Sequence, residues 1–132
     1  MGELTKTEKK DLVSLFHGNQ GYPAVPQPFE RDIFLLGTYI AGTFYIENMD
    51  EIEPGLQEDD RLNLFREPEN PYDKHAIVVK TISGEKLGYI PRKDNLIFSR
   101  LMDAGKMLFA RIISKEKQGR SVEIRIKVFL HE

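Results

Sequence analysis

The densest group of residues that could do chemistry is the segment Arg66–His75, which reads REPENPYDKH. Pro68 and Pro71 each fix φ, so the segment is predicted to form a stiff, turning loop. Such a loop presents Tyr72 and Asp73 with little conformational entropy to lose on binding, as a recognition site requires. The alternative is a structural turn with a packed tyrosine, and the segment alone leaves that alternative open.

Metal and enzymatic chemistry find little support elsewhere in the chain. The three histidines stand at 17, 75 and 131, without the HxH, HxxxH or HExxH spacing of a zinc site. The absence of cysteine excludes disulfides, thiol catalysis and cysteine-ligated metals. No glycines have the GxGxxG or Walker spacing, and Ser99 and Ser114 lack the glycines of a nucleophile elbow. We therefore expect no cofactor, no metal ion and no intrinsic catalytic activity.

The 132-residue chain has the length of one domain, and its charge is unevenly distributed. No apolar run approaches the roughly 20 residues of a membrane span, and the first residues lack the apolar core of a signal peptide. We expect a monomer in the cytoplasm. The net charge is −2, yet residues 47–60 carry seven acidic and no basic side chains, whereas residues 61–132 carry 15 basic and 9 acidic ones. This distribution is typical either of a basic face that holds a few phosphates or of a neutral domain with a solvated acidic loop.

Residues 1–30 are predicted to form an N-terminal helix followed by a proline-rich crossing. Thr5 and Glu8 match a capping box for a short amphipathic helix over about 6–17. The stretch that leads to Asp32 contains three prolines and two glycines, which excludes regular structure. The folded domain is therefore predicted to span residues 31–132.

Six short strands and one helix are predicted in this domain. Patterns rich in β-branched and aromatic residues indicate strands at 32–47, around 62–65, and at 75–82, 85–91, 107–115 and 121–130. Gly37 and Gly42 are predicted to mark bends or bulges in the first of them. The acidic segment 47–60 is predicted to be a loop. The helix is predicted to be capped by Asp94 or Asn95, to end at Gly105, and to share one apolar face among Ile97, Phe98, Leu101 and Met102.

The predicted fold class is mainly β with short helices. The strands favour a small six-stranded antiparallel barrel, OB-like or SH3-like, with one inserted helix and an N-terminal helix. Such a barrel has little interior space, so its ligand is expected in a surface groove. This geometry favours binding over catalysis.

Three motifs resemble the HIRAN domain family in their order and spacing. They are Tyr39–Tyr45 (YIAGTFY), Leu64–Ile77 (LFREPENPYDKHAI) and Gly88–Arg92 (GYIPR), and the resemblance covers about residues 33–113. It implies a small β-barrel related to OB-folds that binds the 3′ end of single-stranded DNA. The family is often found beside SNF2-type helicase or nuclease modules, whose activities belong to those other modules.

The resemblance also implies a pocket for the terminal nucleotides. It would be formed by Tyr45 on the first strand together with Tyr72 and Asp73. A basic residue that can precede the strand tyrosine in the family is Phe44 here, and another position that can be basic or histidine corresponds to Tyr89. The charge that faces the phosphates is therefore reduced.

Physical chemistry agrees with this implied use. An unstacked base needs an aromatic face, worth roughly 1–3 kcal/mol per base, which Tyr45, Tyr72, Tyr89 or Phe44 can supply. A free 3′-hydroxyl can donate to the Asp73 carboxylate, whereas an internal phosphodiester would meet its negative charge. The basic residues expected to meet the following phosphates are Arg66, Lys74, Arg92 and Lys93, although each of them taken singly is typical of a solvated surface charge.

The sequence thus predicts a module that recognises single-stranded DNA by its 3′-hydroxyl end. We expect a role in DNA repair, with DNA-processing proteins as partners and no contact with a membrane. The alternative is a protein-interaction or scaffold module without affinity for nucleic acid, which would use the N-terminal helix, the proline-rich crossing or the acidic loop. DNA binding should weaken steeply with salt and need a free 3′ end, whereas a peptide surface should show neither property.

Overall fold

The computed structural model describes residues 31–132. The predicted N-terminal helix and proline-rich crossing lie outside the described residues, and the division of the chain at residue 31 stays a prediction. Within the described part, no helix is long and apolar enough to cross a membrane. The same part of the chain brings no three metal-binding side chains together.

Six strands form one antiparallel sheet in the order β1-β6-β5-β2-β3-β4. The strands are β1 Asp32–Tyr39, β2 Arg61–Arg66, β3 Ile77–Thr81, β4 Lys86–Tyr89, β5 Met107–Gln118 and β6 Ser121–His131, and the helices are α1 Met49–Ile52 and α2 Arg92–Asp103. The sheet curls into a half-barrel. Ala41, just beyond β1, pairs with Tyr89 at the end of β4 through backbone hydrogen bonds of 2.7 and 2.9 Å, so the two edges meet at one end. The mainly β, six-stranded, barrel-like fold is confirmed.

Strict alternation along β6 separates the core from the outer face of the sheet. Exposed Glu123, Arg125 and Lys127 alternate with buried aliphatic residues, which are Val122, Ile124, Ile126, Val128 and Leu130. Because side chains alternate across a strand, the aliphatic set lies on the concave side with the rest of the core. The prediction for this strand is confirmed.

The predicted first strand is wrong beyond Tyr39. Gly42 adopts φ 80° and turns the chain into a short 3₁₀ helix, Thr43–Tyr45. The bend predicted at Gly42 is thus confirmed, whereas the register of β1 shifts between Phe34 and Leu36, just before Gly37. Positive φ suits glycine, which has no Cβ to clash with the backbone.

The acidic segment 47–60 is more than a loop, because it contains α1 and a 3₁₀ turn, Glu53–Gly55. Met49, Ile52 and Leu56 are buried in the core, and their spacing is that of one helical face. Of the acidic residues between them, Asp50 and Glu51 are exposed, whereas Glu53 forms an ion pair with Lys115 at 2.8 Å. Apolar anchoring therefore orders a segment whose composition alone indicated a loop.

Helix α2 begins at Arg92, with Pro91 in the N-cap position, so neither Asp94 nor Asn95 is the cap. Ile97 is 68% exposed, so the predicted apolar face is wrong at this position, whereas Phe98 is buried. The predicted end is confirmed, because the Gly105 N–H donates to the Met102 carbonyl at 2.9 Å and Gly105 adopts φ 94°.

Candidate functional site

The loop between β2 and β3 is held by the side chain of Asn70. Its Oδ1 accepts hydrogen bonds from the backbone N–H groups of Tyr72 at 2.8 Å and Asp73 at 3.1 Å. Its Nδ2 donates to Glu67 Oε1 at 3.0 Å. The Glu67 N–H donates to the Ala76 carbonyl and closes the base of the loop. These bonds give the stiff, turning loop that the two prolines predict.

Arg66 supports this loop from below. Its guanidinium donates to the backbone carbonyls of Ala76 at 2.8 Å and Lys74 at 3.0 Å, and to the carboxylate of Asp103 at 2.9 Å. The side chain is only 15% exposed. Hydrogen bonds and the charge of Arg66 hold the pKa of Asp103 below its ordinary value. Arg66, which the sequence predicted to contact a phosphate, thus directs its guanidinium at groups of the protein itself.

Asp73 is a fixed, ionised carboxylate at the end of the loop. Its Oδ2 accepts from Asn95 Nδ2 at 2.8 Å, and its Oδ1 accepts from the His75 N–H at 2.9 Å. The hydrogen bond from Asn95, then that from His75 and the charge of Arg92, lower the pKa of Asp73. A carboxylate offers about four acceptor positions, so capacity for another donor remains.

Beside Asp73 lies an open pocket of about 270 Å³. Four of the predicted site residues line it, namely Tyr72, Asp73, Tyr89 and Arg92. The Arg92 guanidinium donates to the Tyr72 carbonyl oxygen and lies 3.7 Å from the Asp73 carboxylate. Tyr72 itself is 84% exposed, so its ring is available to a flat ligand. The pocket combines an aromatic face, an anion and a cation.

Tyr89 is tied into a polar network at the rim of this pocket. Its hydroxyl donates to Glu67 Oε1 at 2.8 Å and accepts from Lys86 Nζ at 3.0 Å, and the ammonium lies 4.6 Å from the ring centroid. Burial raises the pKa of Glu67, but the hydrogen bonds from Asn70 and Tyr89 and the charge of Lys86 outweigh it, and the net shift is downward. Lys86, which sequence reasoning missed, thus brings a positive charge to Tyr89.

The other predicted site residues lie outside the pocket lining. Tyr45 belongs to the 3₁₀ helix rather than to the first strand, and its ring meets that of Phe44 edge-on at 5.5 Å. Lys74 is exposed on the loop, and Lys93 Nζ contacts the Asp94 carboxylate at 2.9 Å. Their assignment to a binding site, like that of the pocket residues, stays a prediction.

Two further residues near the site escaped sequence reasoning. Arg120 places its guanidinium 5.0 Å from the ring of Phe44, so the β5–β6 turn brings a basic charge beside this aromatic pair. Asn95 is 4% exposed and holds Asp73. Asn95 stands on the same helical face as Phe98, and a polar residue within an apolar stripe is the signal that could have found it.

Comparisons with known sequences give one family. The HIRAN domain model matches residues 33–131. A 77-residue match of 32% identity relates the chain to helicase-like transcription factor from Mus musculus, and a match of 31% over the same length relates it to that from Oryctolagus cuniculus. Each match covers 56% of this chain and 7% of the relative, so the chain corresponds to a small part of those proteins.

Comparisons with solved structures agree. A crystal structure of a protein from Lactobacillus plantarum superposes with a TM-score of 0.73 at 27% identity, over 78% of this chain and 98% of that one. The HIRAN domain of human HLTF superposes with a TM-score of 0.59 at 19% identity, over 76% and 78% of the two chains. The second likeness shows the shared fold.

Proposed function

The chain belongs to the HIRAN domain family, a family of DNA-binding modules, and we propose that it binds the 3′-hydroxyl end of single-stranded DNA. The binding place is the pocket lined by Tyr72, Asp73, Tyr89 and Arg92. The observation that carries the proposal is the Asp73 carboxylate, which is ionised and fixed by Asn95 and His75 beside an exposed aromatic ring.

The carboxylate selects the end of a strand over its interior. A terminal hydroxyl donates a hydrogen bond to Asp73, whereas a phosphate in the same place brings a second negative charge. Two unit charges 4 Å apart repel by about 1 kcal/mol in bulk water and by about 4 kcal/mol near a protein surface. The pocket is open and Arg92 lies 3.7 Å from the carboxylate, so the lower figure applies. Discrimination of about fivefold follows.

Arg92 and Tyr72 contact the other parts of the terminal nucleotide, its phosphate and its base. One N–H of Arg92 is used on the Tyr72 carbonyl, and a guanidinium has five N–H donors, so others remain for a phosphate. The Tyr72 ring offers a stacking face to any of the bases. This combination supports binding to an end without strong sequence preference.

We further propose that the module has no catalytic activity of its own and acts as a cytoplasmic monomer in DNA repair. DNA-processing proteins would then supply the activity to which end recognition is coupled. A protein-interaction or scaffold role is the outcome left if no oligonucleotide binds. Sedimentation that found a tight dimer would contradict the monomer.

Asp73→Asn tests the carboxylate. The amide keeps one oxygen, which can accept from either Asn95 or the His75 N–H, and it loses the charge. Affinity for 3′-hydroxyl ends should therefore fall, and the preference for hydroxyl over 3′-phosphate ends should narrow by about fivefold. Fluorescence anisotropy with matched oligonucleotides measures both. Glu58→Gln makes the same charge change at an exposed position of the acidic segment and should leave the preference intact. An unchanged preference in Asp73→Asn would reject the pocket assignment.

Arg92→Ala tests the phosphate contact. The plot of the logarithm of affinity against that of salt concentration should become shallower by roughly 0.7, since one phosphate contact on a single strand is lost. The 3′-end preference should persist or widen, because phosphate contacts position a strand without identifying its terminus and the charge of Arg92 no longer offsets that of Asp73, 3.7 Å away. Arg100→Ala removes an exposed charge from the same helix and should not change the slope. Equal slopes in wild type and Arg92→Ala would exclude the contact.

A further inference from the structure

The outer face of the sheet carries basic side chains in register across three strands. Lys127 of β6 is paired with Arg111 of β5, and Arg111 is paired with Arg61 of β2. Directly opposite residues in antiparallel strands lie about 5 Å apart, so three cations stand side by side. Arg125 lies two residues along β6 on the same face, roughly 7 Å away.

Neighbouring carboxylates do not neutralise this row. Within residues 31–132, none of Arg61, Arg111, Arg125 and Lys127 forms a salt bridge. Arg111 donates to a backbone carbonyl, that of Asp59, at 3.0 Å, which holds the guanidinium and leaves its charge. Like charges directly opposite on a sheet are destabilising. The fold thus keeps an arrangement that disfavours its own stability.

Aromatic rings hold the row in place. The Arg61 guanidinium lies 4.0 Å from the ring centroid of Phe109, whose other contacts include the stacked ring of Phe129 at 5.3 Å. Phe34 meets Phe129 edge-on at 5.9 Å. Since these rings occupy the next register positions along the strands, they fill the face beside the cations and limit their mobility.

The row is continuous with the pocket. Arg92 lines the pocket, and the adjacent Lys93 places its ammonium 5.7 Å from the ring of Tyr39. Tyr39 is paired with Arg125 at the start of the row. A path of basic side chains therefore leads from the pocket over the edge of the sheet, and of its members only Lys93 contacts a carboxylate within residues 31–132, that of Asp94 at 2.9 Å. We call this path the basic track, formed by Lys93, Arg125, Lys127, Arg111 and Arg61.

We propose that the basic track binds the sugar-phosphate backbone of the strand whose 3′ end occupies the pocket, an inference that rests on the proposed function. A polyanion with regularly spaced charges matches cations that follow one another at about 5–7 Å. Tyr39, 38% exposed between Lys93 and Arg125, adds the aromatic surface typical of single-strand binding. The bound strand would relieve the repulsion that the free protein carries.

Lys127→Glu tests the track through two effects of opposite sign. In the free protein the new carboxylate stands opposite Arg111, so the melting temperature should rise. Affinity for a strand of about 12 nucleotides should fall, with a salt slope shallower by at least about 0.7. A strand of about 4 nucleotides, near the smallest site size of related folds, should bind the variant and the wild type with equal affinity. If Lys127 were needed only for folding, its replacement would instead lower the melting temperature.

The comparison separates this inference from the proposed function. Arg111→Gln should also remove the gain in affinity from short to long strands, while both variants keep the preference for a 3′-hydroxyl. Lys106→Glu, an exposed basic residue off the track, should keep that gain. The track alone would be overturned if affinity did not increase from short to long strands, or if Lys106→Glu lost as much of that increase as the track variants do. Absence of binding at any length would overturn both proposals, and equal binding of polyglutamate would replace the nucleic acid by an acidic protein.

Discussion

Replacement of Gly88 by alanine will destabilise the fold by more than about 4 kcal/mol, the range of exceptional point mutations. Gly88 adopts φ 151°, and a Cβ there would stand 2.3 Å from the Ala41 carbonyl oxygen and 2.7 Å from Ile40 Cγ2. The oxygen cannot move away, because it accepts the Tyr89 N–H at 2.9 Å where the two edges of the sheet meet. The collision therefore opens the half-barrel or tilts β4.

Chemical denaturation followed by circular dichroism measures this loss. The matched control is Gly55→Ala, because a Cβ at Gly55 meets open space and its φ is unstrained. That variant should unfold at the wild-type denaturant concentration or slightly above it. A Gly88→Ala protein whose free energy of unfolding stayed within about 1 kcal/mol of wild type would mean that the edges of the sheet do not meet as described.

Local sequence patterns were enough to predict most of the strands. Where those patterns failed, the cause is pairing between residues that are distant in sequence. The alternation along β6 and the prolines and glycines between elements required only neighbouring residues. Gly42 itself indicated a bend, but the departure of the chain from the strand at that point follows from the pairing of Ala41 with Tyr89, 48 residues along the chain. The run of β-branched and aromatic residues around Gly42 carries no sign of that pairing. The start of α2 was misplaced because Asp94 and Asn95 match caps, yet their side chains bond to Thr38 and Asp73.

The candidate site divides in the same way. Pro71 and Asn70 are local signals, so the stiff loop was predictable, whereas the choice between an exposed and a packed Tyr72 needed the structure. The hydrogen bond between Arg66 and Asp103, 37 residues away, could not be predicted from the sequence. A count of basic residues therefore overestimated the number of cations that are free to contact phosphates. The basic track was equally hidden, since it arises only when three strands align in register.

Tyr72→Ala will weaken binding of single-stranded DNA by about 5- to 150-fold, the equivalent of one stacking contact of roughly 1–3 kcal/mol. The ring is 84% exposed, so its removal should leave the free energy of unfolding unchanged. Tyr72→Phe keeps the stacking face and should retain most of the affinity. The loss should be independent of salt, because no charge is removed.

Anisotropy titrations should set Tyr72→Ala beside Tyr45→Ala, since Tyr45 is 81% exposed and lies outside the pocket lining. A loss at Tyr72 alone confines the bases to the pocket, whereas a loss at both residues extends the bound strand onto the 3₁₀ helix beside Phe44 and Arg120. Ile82→Ala, an exposed apolar side chain in the β3–β4 turn, controls for any general effect of surface truncation. Unchanged affinity in Tyr72→Ala with an intact fold would exclude this pocket as the place where the terminal base stacks.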